Sequence, residues 1–246
     1  FQVAMLRLGG TTIDLNPQTS QIGRGEPIKD TARVLSRYCD LIAIRTFNHS
    51  DLTEYAKWST KPVINALTDL EHPCQALADF LTIKEEFHDF KDLVLTFIGD
   101  GNNVAHSLIL CGALLGIEVR IACPEGFLPN PLVIKKAREI YKNDNLLKII
   151  HDPLNAVNGA NVLYTDVWSS MGEENQKEEK DREFKGYTID TDLLEKANKD
   201  AIVLHCLPAY RNKEITDAVI ESDRSRIFEQ AENRLHAQQA LLACLL

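Results

Sequence analysis

"FIGDGNNVAHS", residues 97–107, decides how the chain folds. An apolar run that begins at Leu93 ends at Gly99. Two glycines then bracket Asp100, and a helix-period segment begins at Asn103. Strand, tight glycine turn and helix start, in that order, open a βαβ unit. The same alternation recurs outward in both directions. Strand-length apolar runs lie at Thr12–Leu15, Leu41–Arg45, Pro62–Asn65, Leu93–Gly99, Glu118–Cys123, Leu147–Ile150, Asn161–Tyr164 and Ala201–His205. Between them, Ile28–Tyr38, Gln75–Phe87, Asn103–Gly116, Pro131–Asn143 and Glu232–Leu246 have helical spacing. Strands alternating with helices predict an α/β fold of mainly parallel sheets flanked by helices.

The pattern breaks at EEFHDFKD, near His88–Lys91. That break predicts two domains, residues 1–88 and 89–230, with a C-terminal helix, 231–246, packing back on the first. The opening residues, Phe1–Leu6, read as the body of a helix without an N-cap, which predicts an incomplete first domain. The polar stretch GEENQKEEKDREFKG (172–186) reads as an exposed helix or loop beside Trp168.

A formal net charge of -9 argues against nucleic acid as a partner, because phosphate backbones require a surplus of Lys and Arg. It leaves room for a small anion in a local basic pocket. No apolar run approaches the roughly 18 residues of a membrane span, so no membrane partner is expected. The six cysteines (Cys39, Cys74, Cys111, Cys123, Cys206, Cys244) form no CxxC pair and no finger-like spacing with His. Free thiols in a reducing compartment are the economical reading, the cytoplasm or, had an organelle-targeting peptide been lost with the N-terminus, an organelle matrix.

Several motifs carry chemistry beside a plainer meaning. The turn at Gly99–Asn103 exposes N–H groups at a helix start, which attract anions. Glu125 even lies where a dinucleotide's ribose contact belongs, but Val104 stands in place of the third glycine of GxGxxG. The paired amides Asn102-Asn103 suit a polar, zwitterionic ligand better than a pyrophosphate. In "EHPCQALADF" (71–80), His72 and Gln75 share one face at a helix start, with Pro73 in the first turn. A neutral His and a Gln amide can bond both sides of a carbamoyl group, or serve as a cap and a surface polar group. In "LIAIRTFNHSD" (41–51), Arg45 ends an apolar strand where open α/β sheets bind ligands. Its guanidinium suits a phosphate or an oxyanion, or an ion pair at the sheet edge. In "TDVWSSMGEE" (165–174), Asp166 also follows a strand, as an ammonium-holding carboxylate or as an N-cap. "IVLHCLPAYRN" (202–212) ends a further strand at His205-Cys206. Cys206 is either one more small core residue or, with its pKa lowered by nearby cations, a thiolate. Arg45, Asn103, Asp166 and Cys206 thus fall at strand ends, and His72 at a helix start, which predicts one site.

This combination resembles the ornithine carbamoyltransferase family: HPCQALAD, FIGDGNN, DVWSSMG and HCLPA occur in that family's order and approximate spacing. HPxQ with an Arg-bearing strand end is common to all transcarbamoylases, whereas the SMG and HCLP pair points to ornithine. The resemblance implies the transcarbamoylase fold and transfer of a carbamoyl group from carbamoyl phosphate to the δ-amine of L-ornithine, giving citrulline and phosphate. It implies that Arg45, His72, Gln75, Cys206, Leu207 and Arg234 contact carbamoyl phosphate. Asn103, Asp166, Ser170 and Met171 would bind ornithine, with Cys206, Asp166, His72 and Arg45 catalytic. Gln21, in SQIGRGEP, would reach a neighbouring subunit's site, which implies a homotrimer. Neither a metal nor an organic cofactor is implied. The family's Ser-x-Arg-Thr-Arg phosphate loop would fall upstream of residue 1, so a chain starting there is expected to turn over little. A transcarbamoylase for putrescine or acetylornithine, a non-catalytic homologue or fragment, and an NAD module at GDGNN are the competing readings.

Overall fold

A computed structural model of the chain describes residues 1–16, 25–141, 144–169, 175 and 177–246. They form two compact units, Phe1–Cys74 with Arg234–Leu246, and Gln75–Asn233.

The first unit contains helices α1 (Gln2–Arg7) and α2 (Ile28–Leu35), strand β1 (Ile42–Arg45), helix α3 (His49–Trp58) and strand β2 (Val63–Leu67). The two strands pair in parallel, Ile42 opposite Val63 and Arg45 opposite Leu67. Parallel neighbours need a crossover rather than a hairpin, and α3 provides it. A small core gathers Ala4, Ile64, Cys74 and Leu242. Thr12–Leu15, expected as a strand, is not one. Its residues are exposed and no described strand pairs with it, so its backbone groups are left to water.

The second unit takes helix α4 (Pro73–Phe87) from Gln75 onward. It continues through β3 (Val94–Ile98), α5 (Asn103–Leu115), β4 (Glu118–Ala122), α6 (Pro131–Ile140), β5 (Leu147–Ile150), α7 (Pro153–Val157) and β6 (Val162–Thr165). Helices α8 (Lys177–Glu183) and α9 (Thr191–Leu194), strand β7 (Ile202–His205), α10 (Asp217–Ile220) and α11 (Ile227–Leu245) come next, α11 belonging to the first unit from Arg234 onward. The five strands are all parallel, in the order β5-β4-β3-β6-β7. β6 and β7 are buried at every residue, as befits strands covered on both faces, and they therefore read as unbroken apolar runs. β3 has β4 on one side and β6 on the other. The winding reverses between β3 and β6, and ligands of open α/β sheets bind beyond the carboxyl ends of strands at such a reversal.

Helix α4 carries long-range side-chain bonds within the second unit. Arg226 grips Glu86 with two bonds of 2.8 and 2.9 Å, and Asn233 donates to Thr82 at 3.0 Å. His88, at φ 63, ends the helix in the left-handed region. The acidic stretch after residue 172 is not uniformly solvated. α8 buries Lys180, whose ammonium lies 2.6 Å from the Asp100 carboxylate.

Candidate active site

The register of the second sheet assembles its polar cluster. Ile98 lies opposite Thr165, and Thr165 opposite His205. The residues just after these three strands therefore emerge side by side: the glycine turn after β3, Asp166 after β6 and Cys206 after β7. The turn itself requires glycine. Gly99 has φ 151, and Gly101 donates its N–H to the Phe127 carbonyl at 3.0 Å. A Cβ at Gly101 would overlap the backbone of Leu128 and Pro129.

Asp166 is buried and its carboxylate receives three donors. Asn102 Nδ2 donates to Oδ2 at 3.0 Å, while Cys206 Sγ at 2.9 Å and the Val167 N–H at 2.8 Å donate to Oδ1. Asn102 also caps α5, its Oδ1 accepting the N–H groups of Val104 and Ala105. One amide thus fixes both the helix start and the carboxylate. Among the described residues, Asp166 caps no helix. Burial, and then the adjacent Asp166 carboxylate, hold the Cys206 thiol well above its ordinary range. Cys206 is therefore an S–H donor at neutral pH, which decides between the two protonation states that the sequence leaves open. The carboxylates of Asp166 and Asp79 push the same way.

Beyond Cys206 the backbone is tightly held. Leu207 sits at φ 56, a region uncommon for residues other than glycine, and the Leu207–Pro208 peptide is cis. The Leu207 N–H donates to His205 Nδ1 at 2.9 Å. A backbone N–H can only donate, so Nδ1 accepts and the ring proton sits on Nε2, which donates to Glu214 Oε1 at 3.1 Å. The same oxygen accepts the Tyr210 N–H at 2.6 Å. His205 and Glu214 are both fully buried, so this pair clamps the strand end and the loop after it. Asp166, His205 and Cys206 each have a potential metal donor within 4.8 Å of the others. Both imidazole nitrogens are already committed to Leu207 and Glu214, so the trio reads as a hydrogen-bonded cluster.

A second buried network runs beneath. Asp79 Oδ1 accepts from Gln75 Nε2 at 2.8 Å and from Gln230 Nε2 at 2.6 Å. Gln230 Oε1 accepts the His205 N–H at 2.9 Å, and its Nε2 also reaches the Tyr164 hydroxyl at 3.1 Å. Burial, with the Asp79 carboxylate nearby, keeps Tyr164 a neutral phenol.

In the first unit, Arg45 ends β1, His72 immediately precedes α4, and Arg234 lies on α11. Burial pushes His72 down to about 3, and the charges of Arg234 and Arg45 push the same way. Its imidazole is neutral and offers one N–H donor. Cys74 is pushed up to about 11 by burial and donates to the Asn65 carbonyl at 3.3 Å, which makes it a core thiol.

Within the second unit, therefore, Asp166, Cys206 and Leu207 come together, with Gln75 joined to them through Asp79 and Gln230. Within the first, Arg45, His72 and Arg234 share one electrostatic environment. Asn103 opens α5 and is half-buried, but its neighbour Asn102 makes the bond to Asp166. Gln21, Ser170 and Met171 lie outside the described residues. The sequence marks Asn102 only as one of a pair of amides, and it does not single out Asp79, His205, Glu214 or Gln230 as site residues. Only Asp79 has a local signal, four residues after Gln75 on the same helix face.

Comparison with known proteins gives a consistent result. A sequence model described as the aspartate/ornithine carbamoyltransferase carbamoyl-P binding domain matches residues 1–85. The model of that family's Asp/Orn binding domain matches residues 91–245. A curated ornithine carbamoyltransferase of Prochlorococcus marinus subsp. pastoris is 81% identical over 246 residues, covering 100% of this chain and 80% of that protein. Among solved structures, the ornithine carbamoyltransferase of Pyrococcus furiosus superposes with a TM-score of 0.94 at 49% identity, over 100% of this chain and 78% of its own. That of Thermus thermophilus superposes with a TM-score of 0.89 at 41% identity, over 100% of this chain and 80% of its own.

Proposed function

The chain belongs to the aspartate/ornithine carbamoyltransferase family, and on that premise we infer that it transfers the carbamoyl group of carbamoyl phosphate to the δ-amine of L-ornithine, giving citrulline and phosphate. The observation that carries the choice of acceptor is the Asp166 carboxylate, aimed by Asn102 and Cys206 at the carboxyl end of the second unit's sheet. A buried carboxylate with fixed donors attracts an ammonium group and orients the amine once that group has lost its proton.

In the reaction the amine nitrogen attacks the carbamoyl carbon. A C–N bond forms, the C–O bond to phosphate breaks, and its electron pair leaves with the phosphate. The proton shed by the attacking nitrogen goes to phosphate or solvent. From the first unit, Arg45 and the neutral His72 donate to the carbonyl oxygen, where negative charge develops, and Arg234 adds positive charge for the phosphate. From the second, Gln75 and the Leu207 carbonyl take the carbamoyl NH2 group. Cys206 acts as an S–H that holds Asp166 in place, and Asn103, Ser170 and Met171 hold the amino-acid end of ornithine. Positioning and electrostatics then supply most of the rate.

Calorimetry with a phosphonate bisubstrate analogue carrying the ornithine skeleton tests this reading. Saturable binding that Asp166→Asn weakens about 100-fold or more is expected, from the loss of a charged hydrogen-bonding partner. Binding of NAD instead, or equal binding by the variant, contradicts it. The homotrimer, with Gln21 serving a neighbouring site, is part of the same proposal. A sedimentation mass at the 27.7 kDa of a single chain would contradict that part.

A further inference from the structure

Asp79 is wholly buried one helical turn after Gln75 on α4. Its Oδ1 accepts hydrogen bonds from two glutamine side chains, Gln75 at 2.8 Å and Gln230 at 2.6 Å. A carboxylate accepts and does not donate, so both amides must turn their nitrogen toward Asp79 and their oxygen away from it. For Gln230 the outcome is visible: its Oε1 meets the N–H of His205, the residue before Cys206. For Gln75 the same constraint fixes which end of the amide faces away from Asp79. The nitrogen is held on the helix, and the oxygen is the end presented.

We propose that Asp79 is a positioning residue for the carbamoyl donor, locking the Gln75 amide so that its oxygen accepts from the donor's NH2 group. This deepens the role of Gln75 in the proposed reaction and rests on it. A carbamoyl group offers one C=O acceptor and an NH2 with two donors. An unrestrained glutamine would present nitrogen or oxygen with similar ease, and a presented nitrogen would set NH2 against NH2. A fixed oxygen acceptor selects carbamoyl phosphate over acyl phosphates of the same size that lack the amide. Acetyl phosphate puts a methyl group against Gln75 Oε1 and leaves that oxygen without a donor, a mismatch that polar sites reject strongly. Through Gln230, the same carboxylate ties this selection to the strand end that carries Cys206 and Leu207, so both donor-facing parts of the second unit share one anchor.

The test measures KM for carbamoyl phosphate and inhibition by acetyl phosphate in the wild type, Asp79→Leu, Asp79→Asn and Gln75→Leu, with citrulline as the product. Asp79→Leu should raise KM for carbamoyl phosphate about tenfold or more while acetyl phosphate inhibits almost as before, so the selectivity ratio falls by that factor. Asp79→Asn, which keeps Oδ1 as an acceptor, should retain the ratio. Asp79→Leu combined with Gln75→Leu should be no less selective than Gln75→Leu alone. An unchanged ratio in Asp79→Leu, multiplicative losses in the double variant, or a loss in a folded Asp79→Asn overturns the proposal. Should Asp79→Leu not fold, hydrogen exchange at the Gln75 side-chain NH2 of the wild type decides. Slow exchange supports the lock, and exchange as fast as in an exposed glutamine overturns it. A wild type that makes no citrulline would instead overturn the functional reading beneath the proposal.

Discussion

At the scale of single residues, environment rather than identity sets the chemistry. His72 is held neutral by burial and by the cations Arg234 and Arg45, with a folded value of about 3 against an ordinary 6.5. That difference fixes the sign of its contribution to stability. As pH falls below about 6.5 the unfolded chain binds a proton at this position that the folded chain refuses until about 3, so the folded state loses ground across that window. The loss from this one group approaches 1.4 kcal/mol per pH unit, on the order of one proton's linkage. His72→Gln should therefore flatten the pH dependence of the unfolding free energy within that window, measured by urea melts. Parallel curves for the variant and the wild type would show that the ring titrates freely. The positions of Asp166 and Cys206 were legible in the sequence because each comes directly after an apolar strand. The protonation state of Cys206 was not, because it depends on Asp166, 40 residues earlier, arriving beside it through the β6–β7 register.

At the scale of elements, the glycine turn after β3 does most to define the acceptor half. Its two glycines are required for different reasons, Gly99 for its positive φ and Gly101 for its closeness to Leu128 and Pro129. Gly101→Ala should destabilise the protein by about 1–3 kcal/mol, because backbone rather than a yielding side chain blocks the added methyl. A denaturant midpoint equal to the wild type's would mean that the turn relaxes freely. Most strands were legible from apolar runs bounded by turn residues. Thr12–Leu15 misled because alternation is local, whereas a strand exists only where a neighbour completes its ladder. Helix α3 escaped because its buried positions, Leu52 and Tyr55, are two apolar residues in an otherwise polar segment. Asn103 marks the turn, and its neighbour Asn102 makes the bond to Asp166. The double duty of Asn102, as cap and carboxylate holder, shows only when β3 and β6 lie side by side.

At the scale of the molecule, the grouping of the chain into units depends on side chains far apart in sequence. Helix α4 ends just before His88, and from Gln75 onward it lies in the second compact unit, where Arg226, Gln230 and Asn233 bond to Glu86, Asp79 and Thr82. No local pattern announces such pairs. The parallel α/β class and the family's motifs, by contrast, were legible, since both arise from strands and turns whose signals lie within a few residues. The central claim concerns the reaction, and the most direct measurement is the product. The protein is supplied with carbamoyl phosphate and L-ornithine, and citrulline and phosphate are quantified against time, with putrescine and acetylornithine run in parallel. Citrulline and phosphate in equal amounts are expected, formed slowly, with ornithine the preferred acceptor and the rate abolished by Asp166→Asn. Phosphate release without citrulline, or faster carbamoylation of putrescine or acetylornithine than of ornithine, would contradict the claim.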